Sequence, residues 1–146
     1  MINTGGKKVG YLVFNQFFGA PSRVELGNAF TLFQSQGINE LVVDLRYNPG
    51  GSTETQDTLA NLIAPAAANN KKMYTYQFNP ELQQGNFTLL KKKPGFQNVS
   101  FAENINSVNY EKAGGLNLSR VFFIVSGSSA SASELIINNL KPYMEV

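Results

Sequence analysis

Two apolar runs constrain this chain most. Glu40-Leu41-Val42-Val43-Asp44-Leu45-Arg46 and Arg120-Val121-Phe122-Phe123-Ile124-Val125 each pass directly into a turn rich in glycine or serine, then into a helical repeat. A near-continuous apolar run suits a parallel strand buried on both faces. The turn and helix that follow each run suit the crossover a parallel strand requires. Residues 9–18, VGYLVFNQFF, supply an earlier strand rich in β-branched and aromatic residues. A helix is predicted to open at Pro21-Ser22-Arg23-Val24-Glu25, where Ser22 and Glu25 have capping-box spacing. Leu26, Ala29, Phe30 and Phe33 then recur at helical period, and Gly37 closes the helix.

After Asn48-Pro49-Gly50-Gly51 a second helix is expected near Thr53, with Gln56 at capping-box spacing and Leu59, Leu62 and Ile63 facing inward. It should stop at Ala64, before Pro65. Between 66 and 118 the pattern weakens. Residues 73–78 and 87–90 alternate as a strand hairpin would, and the Asn-rich stretch 94–117 is expected to be mostly loop. A last helix over roughly 132–140 carries Leu135, Ile136 and Leu140 as core candidates. Strand, helix, strand, helix, excursion, strand, helix is the order of an α/β domain with a largely parallel sheet. No internal repeat or low-complexity linker divides it, so one domain is expected.

Composition removes several functions. The net charge is +2, and the lysine clusters 71–72 and 91–93 lack the interleaved aromatics of a nucleic-acid groove. No apolar run approaches the roughly 20 residues of a membrane span. There is no cysteine, hence no disulfide, thiolate metal site or cysteine nucleophile. There is no histidine either, which excludes a Ser-His-Asp triad within this chain and argues against a transition-metal site. Neither a metal nor a cofactor is expected. Nucleophilic chemistry here needs another base, with lysine the natural choice.

Two motifs stand where α/β proteins place their sites, at the C-terminal ends of strands. In Asp44–Gly51 the paired glycines Gly50 and Gly51 let the backbone turn sharply and present bare N–H groups, which can stabilise an oxyanion. The same residues also suit a plain tight turn before a helix. In Ser126-Gly127-Ser128-Ser129-Ala130-Ser131-Ala132-Ser133-Glu134 the hydroxyls sit at a helix N-terminus, beside free N–H groups. Ser131 and Glu134 have capping-box spacing, so Ser131 serves equally well as an N-cap. The segment lacks the flanking glycines of a Gly-x-Ser-x-Gly elbow.

Taken together and in this order, DLRYNPGG followed much later by a strand and SASASE resembles the signature of the C-terminal processing (tail-specific) serine proteases. The resemblance extends to the first strand and helix and leaves out the excursion at 66–118. It implies a crotonase-like spiral of ββα units and a serine endopeptidase acting on protein or peptide. It further implies Ser131 as the nucleophile, the Ala132 N–H as one half of an oxyanion hole, and an N–H of Gly50 or Gly51 as the other. Asp44, Arg46, Asn48 and Glu134 take supporting motif positions. Relatives work outside the cytoplasm, often in a bacterial periplasm, so an extracytoplasmic setting is implied too.

The family's general base is a lysine beyond the nucleophile helix, after the next strand, in a Gly-Lys context. That strand is expected to begin where the sequence reaches Val146. Residues 1–146 are therefore expected to form a partial catalytic domain without its lysine, inactive by itself, and with no PDZ domain in this chain. Lys141 is no substitute, since ten helical positions from Ser131 amount to about 15 Å and base contact needs about 3 Å. The missing strand would leave an open sheet edge that invites self-association. The alternative function is a non-catalytic relative that binds peptide or protein. A third, an acyl-CoA enzyme of the crotonase type, shares the oxyanion logic but has no need of SASASE.

Overall fold

In the computed structural model, residues 2–102 and 106–146 are described. They divide into two compact units, one of residues up to Asn70 with Tyr110–Val146, the other Lys71–Asn109.

The larger unit opens with a hairpin that the sequence reading did not anticipate. β1 (Ile2–Thr4) runs antiparallel to β2 (Lys7–Val13), joined by Gly5-Gly6, both with positive φ (54° and 77°). Such a two-residue turn matches the twist of its flanking strands. β2 stops at Val13, short of the expected Phe18, because the chain turns away to meet the glycine loop described below. α1 (Gly19–Gln36) buries Leu26, Phe30 and Phe33 and ends at Gly37 in the left-handed conformation. Its N-cap is Phe18 rather than Ser22, and the Ser22 hydroxyl lies inside the first turn, accepting from the Phe18 N–H at 3.2 Å.

β3 (Glu40–Asp44) pairs in parallel with β2. It leads through the Asp44–Gly51 loop to α2 (Thr53–Ile63), which ends at Ala64 as expected. The cap of α2 is Ser52, whose hydroxyl accepts from the Thr55 N–H at 3.3 Å. The predicted Thr53–Gln56 box does not form, since the Gln56 N–H donates to the Ser52 carbonyl at 3.1 Å.

In the smaller unit, β4 (Lys72–Thr75) is followed by two single helical turns, α3 (Pro80–Gln83) and α4 (Thr88–Lys91). β4 pairs antiparallel with β5 (Ser107–Asn109). The expected hairpin partner at 87–90 is therefore α4. Phe87, just before it, packs edge-on against Phe101. Phe78 meets the same ring, so clustered aromatics hold this segment together.

The chain returns to the larger unit with β6 (Phe122–Ile124), parallel to β3, and α5 (Ala132–Leu140), whose bounds match the expected 132–140. Sheet order is β1-β2-β3-β6, so the sheet is largely parallel. One face, carrying Gly10, Leu41 and Val43, is closed by the helices. A β-carbon on Gly10 would stand 2.6 Å from Ile38 and 3.4 Å from Phe33. On the other face Tyr11, Val13, Phe122 and Ile124 are exposed. The runs are therefore not buried on both faces. β6 is the more exposed strand because, among the described residues, only β3 pairs with it. Beyond α5 the chain comes back beside the start of β6, where Glu145 bridges Arg120 in parallel.

Acidic residues at both ends of β3 explain why that strand stays covered on its open face. Glu40 accepts from Lys7 Nζ at 2.7 Å and from Arg120 Nε at 2.9 Å, tying β2, β3 and the approach to β6 together. These bonds, that from Arg120 foremost, hold the Glu40 carboxyl down at about 2. A buried carboxylate needs this full set of partners to offset its lost hydration.

Candidate active site

At the other end of β3, Asp44 is 3% exposed and fully engaged. Arg46 grips it as a fork, Nε to Oδ1 at 3.0 Å and Nη2 to Oδ2 at 2.6 Å, and the Arg46 N–H adds a bond to Oδ1 at 3.2 Å. Tyr11, which the sequence reading did not single out, donates its hydroxyl to Oδ2 at 2.5 Å. Arg46 first, then Tyr11, holds the Asp44 carboxyl well below the usual carboxylate range. A permanently ionised clamp fixes the first turn of the loop.

Asn48 is completely buried and uses its side chain in both directions. Its Nδ2 donates to the Phe14 carbonyl at 2.7 Å, and its Oδ1 accepts from the Gly50 N–H at 2.9 Å. The glycine pair is also paired to the strand exit of β2. The Phe17 N–H donates to the Gly50 carbonyl at 3.1 Å and the Ser52 N–H to the Phe17 carbonyl at 2.8 Å.

The serine-rich segment docks on this loop through three hydroxyls. Ser126 donates to the Arg46 carbonyl, Ser129 to Leu45 at 2.7 Å and Ser133 to Asn48 at 2.9 Å. The Ala130 N–H adds a bond to the Asn48 carbonyl at 3.3 Å. Sequence reasoning saw a serine-rich turn but not these roles, because the carbonyls involved lie some 80 residues upstream.

Ser131 is held apart from that ladder. It caps α5, and its N–H donates to Glu134 Oε2 at 2.9 Å, completing the predicted capping box. Its backbone is at φ 54°, ψ −117°, a conformation costing a non-glycine residue about 1–3 kcal/mol and typical of strained functional positions. The residue is exposed. Ala132 begins the helix, so its N–H has no intrahelical acceptor.

The two motifs meet at Gly50 (φ +104°), where a β-carbon would stand 2.7 Å from Ser131 Cβ, 2.8 Å from the Ala130 carbonyl oxygen and 3.0 Å from the Ala132 nitrogen. Among the described residues, the N–H groups of Gly51 and Ala132 have no acceptor. The structure thus brings together Ser131, Ala132, Glu134, Gly50, Gly51 and Asn48, with the Asp44–Arg46 clamp buttressing the loop. Lys141 is the C-cap of α5, at the far end from Ser131, where its Nζ donates to Asn138 at 3.4 Å.

The family model for peptidase family S41 matches residues 8–145. The chain belongs to this family. A carboxyl-terminal-processing protease of Picosynechococcus sp. (strain ATCC 27264 / PCC 7002 / PR-6) is 40% identical over 57 residues, 39% of this chain and 14% of that protein. Among solved structures, a candidate S41 protease from Bacteroides fragilis NCTC 9343 is 33% identical with a TM-score of 0.74, over 99% of this chain and 35% of that one. The photosystem II D1 C-terminal processing protease shares the fold at 19% identity and a TM-score of 0.58, over 95% of this chain and 30% of that one. This S41 chain therefore spans about a third or less of the relatives it matches. Among its described residues no helix is long and apolar enough to cross a membrane, and no cluster of candidate metal ligands forms.

Proposed function

We propose that the protein carrying this S41 chain is a serine endopeptidase of the C-terminal processing type, with Ser131 as the nucleophile. The observation that carries this reading is the meeting of a strained, exposed serine at a helix N-terminus with two unoccupied backbone N–H groups, on Ala132 and Gly51. In this mechanism the Ser131 hydroxyl attacks the scissile carbonyl, and its oxygen becomes the anion those N–H groups receive. The α5 dipole favours the same charge. Gly51, rather than Gly50, supplies the second donor, since Asn48 occupies the Gly50 N–H. Loss of one such donor typically raises the barrier by about 3–4 kcal/mol.

The general base is a lysine from outside these 146 residues. Lys141 stands at the wrong end of α5, and no lysine hydrogen-bonds to Ser131 among the described residues. The chain by itself is inactive, and a crotonase-like spiral, an extracytoplasmic setting and an unstructured protein or peptide substrate complete the reading. The free side of β6 is the edge through which isolated copies would associate.

The test follows cleavage of β-casein by the longest natural chain that contains this sequence, beside a Ser131→Ala twin. Activity abolished in the twin is the expected result. Activity that survives in the twin overturns Ser131 as nucleophile, and no activity in either turns the reading toward a peptide-binding relative.

A further inference from the structure

Asn48 connects every piece of backbone that the site depends on. Its side chain reaches back to the Phe14 carbonyl and forward to the Gly50 N–H, while its own carbonyl receives the Ser133 hydroxyl and the Ala130 N–H. Its N–H closes the turn onto the Leu45 carbonyl at 3.0 Å. All five interactions lie within a residue with no exposed surface.

The consequence concerns the two glycines. In a turn that contains consecutive glycines, either peptide N–H can swing toward the nucleophile, because neither residue has a side chain to bias φ. The Oδ1 of Asn48 removes that freedom by drawing the Gly50 N–H toward the loop interior. The following peptide is then left with its N–H unoccupied, next to a Cα on which a β-carbon would stand 2.7 Å from Ser131 Cβ. The same residue fixes the other half of the site, since Ala130 and Ser133 flank the Ser131–Ala132 peptide.

We infer that Asn48 is the positioning residue of the oxyanion site: it turns the Gly50 N–H inward, leaves the Gly51 N–H as the outward donor, and sets the Ser131–Ala132 peptide against it. The use of that donor rests on the reading of Ser131 as nucleophile; the division between the two glycines does not.

The experiment measures amide hydrogen exchange, residue by residue, in the isotope-labelled chain, for wild type, Asn48→Ala and Asn48→Asp. The wild type is expected to protect Gly50 and leave Gly51 and Ala132 fast. Asn48→Ala should accelerate Gly50 about tenfold, the equivalent of ~1.4 kcal/mol, beyond any change at the core amides of Leu41 and Val43. Asn48→Asp keeps the Oδ1 acceptor but sets an oxygen against the Phe14 carbonyl. It should preserve Gly50 protection while the Phe14 carbonyl resonance, which loses the Asn48 Nδ2 donor, shifts, and it carries the test if the alanine variant does not fold. An unprotected Gly50 in the wild type overturns the proposal. So does a Gly50 rate that rises only in step with the core, as a merely structural role would give.

Phenylboronic acid, added to the longest natural chain that contains this sequence and so carries the base, separates the two readings. A tetrahedral adduct on Ser131 should shift the Gly51 and Ala132 amide resonances and leave Gly50 in place, and Ser131→Ala should abolish the response. A shift at Gly50 in place of Gly51 overturns the Asn48 assignment. No response, with Gly50 protected, upholds that assignment and counts against Ser131 as nucleophile.

Discussion

Gly50 and Ser131 lie 81 positions apart in the chain, yet a single added carbon on Gly50 would stand 2.7 Å from the Ser131 β-carbon. The approach is possible only because position 50 carries no side chain and holds φ at +104°. Gly50→Ala is therefore expected to lose about 1–3 kcal/mol from backbone conformation alone, with the overlap against the Ala130 carbonyl adding to it. Gly127→Ala, which meets open space in the same serine-rich turn, should change stability by no more than about 0.5 kcal/mol. Urea unfolding of the two variants checks the contrast, and equal midpoints would contradict it.

The Glu40 cluster predicts an acid-sensitive fold. Its folded-state pKa, about 2, lies below the ordinary value of 4.5. Its contribution is thus complete above pH 4.5 and is lost as pH falls toward 2. Asp44, depressed by Arg46 and Tyr11, acts in the same direction. Stability measured across this window should fall less steeply in Glu40→Gln than in the wild type.

Lys112 predicts a second rise of stability with pH, at the basic end. Burial lowers its ammonium from 10.5 to about 8, and its Nζ donates to the Asn61 carbonyl at 3.0 Å. The unfolded chain binds the extra proton between those values, so stability should rise as pH climbs from about 8 to 10.5. Lys112→Met should flatten that rise in thermal unfolding scans, and an unchanged slope would assign it to other groups.

The serine ladder predicts unequal serines. Ser133 is buried against the Asn48 carbonyl, so Ser133→Ala should cost about 1 kcal/mol. Ser128, exposed in the same turn, should tolerate alanine within about 0.5 kcal/mol. Denaturant midpoints of the pair decide this, and identical midpoints would show that the ladder does not hold the segment.

Elements with strong local signals were legible in the sequence. α5 matched its predicted bounds, Gly37 ended α1, and Ser131 with Glu134 formed the predicted box. Misreadings fell where two local signals competed. Ser22 and Thr53 have capping spacing, but the caps went to Phe18 and Ser52, one residue before each helix, because tertiary pairing of Phe17 with Gly51 fixes where both helices begin. The alternating residues 87–90 became a helical turn because β4 found its partner in β5, far along the chain. Tyr11 escaped notice since nothing in a strand's alternation says which outward residue will meet a carboxylate.

The sequence by itself determined the order of β2, α1, β3, α2, β6 and α5, the largely parallel sheet and the two motifs with their glycines and serines. These follow from periodicity, turn chemistry and capping, which act over a few residues. Only the tertiary structure decided that Ser126, Ser129 and Ser133 grip the loop and leave Ser131 apart. It also decided that Asn48 occupies the N–H of Gly50 and not that of Gly51. Hydrogen-bond partners some 80 residues away are set by the packing of α5 on α2 and the pairing of β6 with β3, and side-chain geometry at that range has no signature in local spacing.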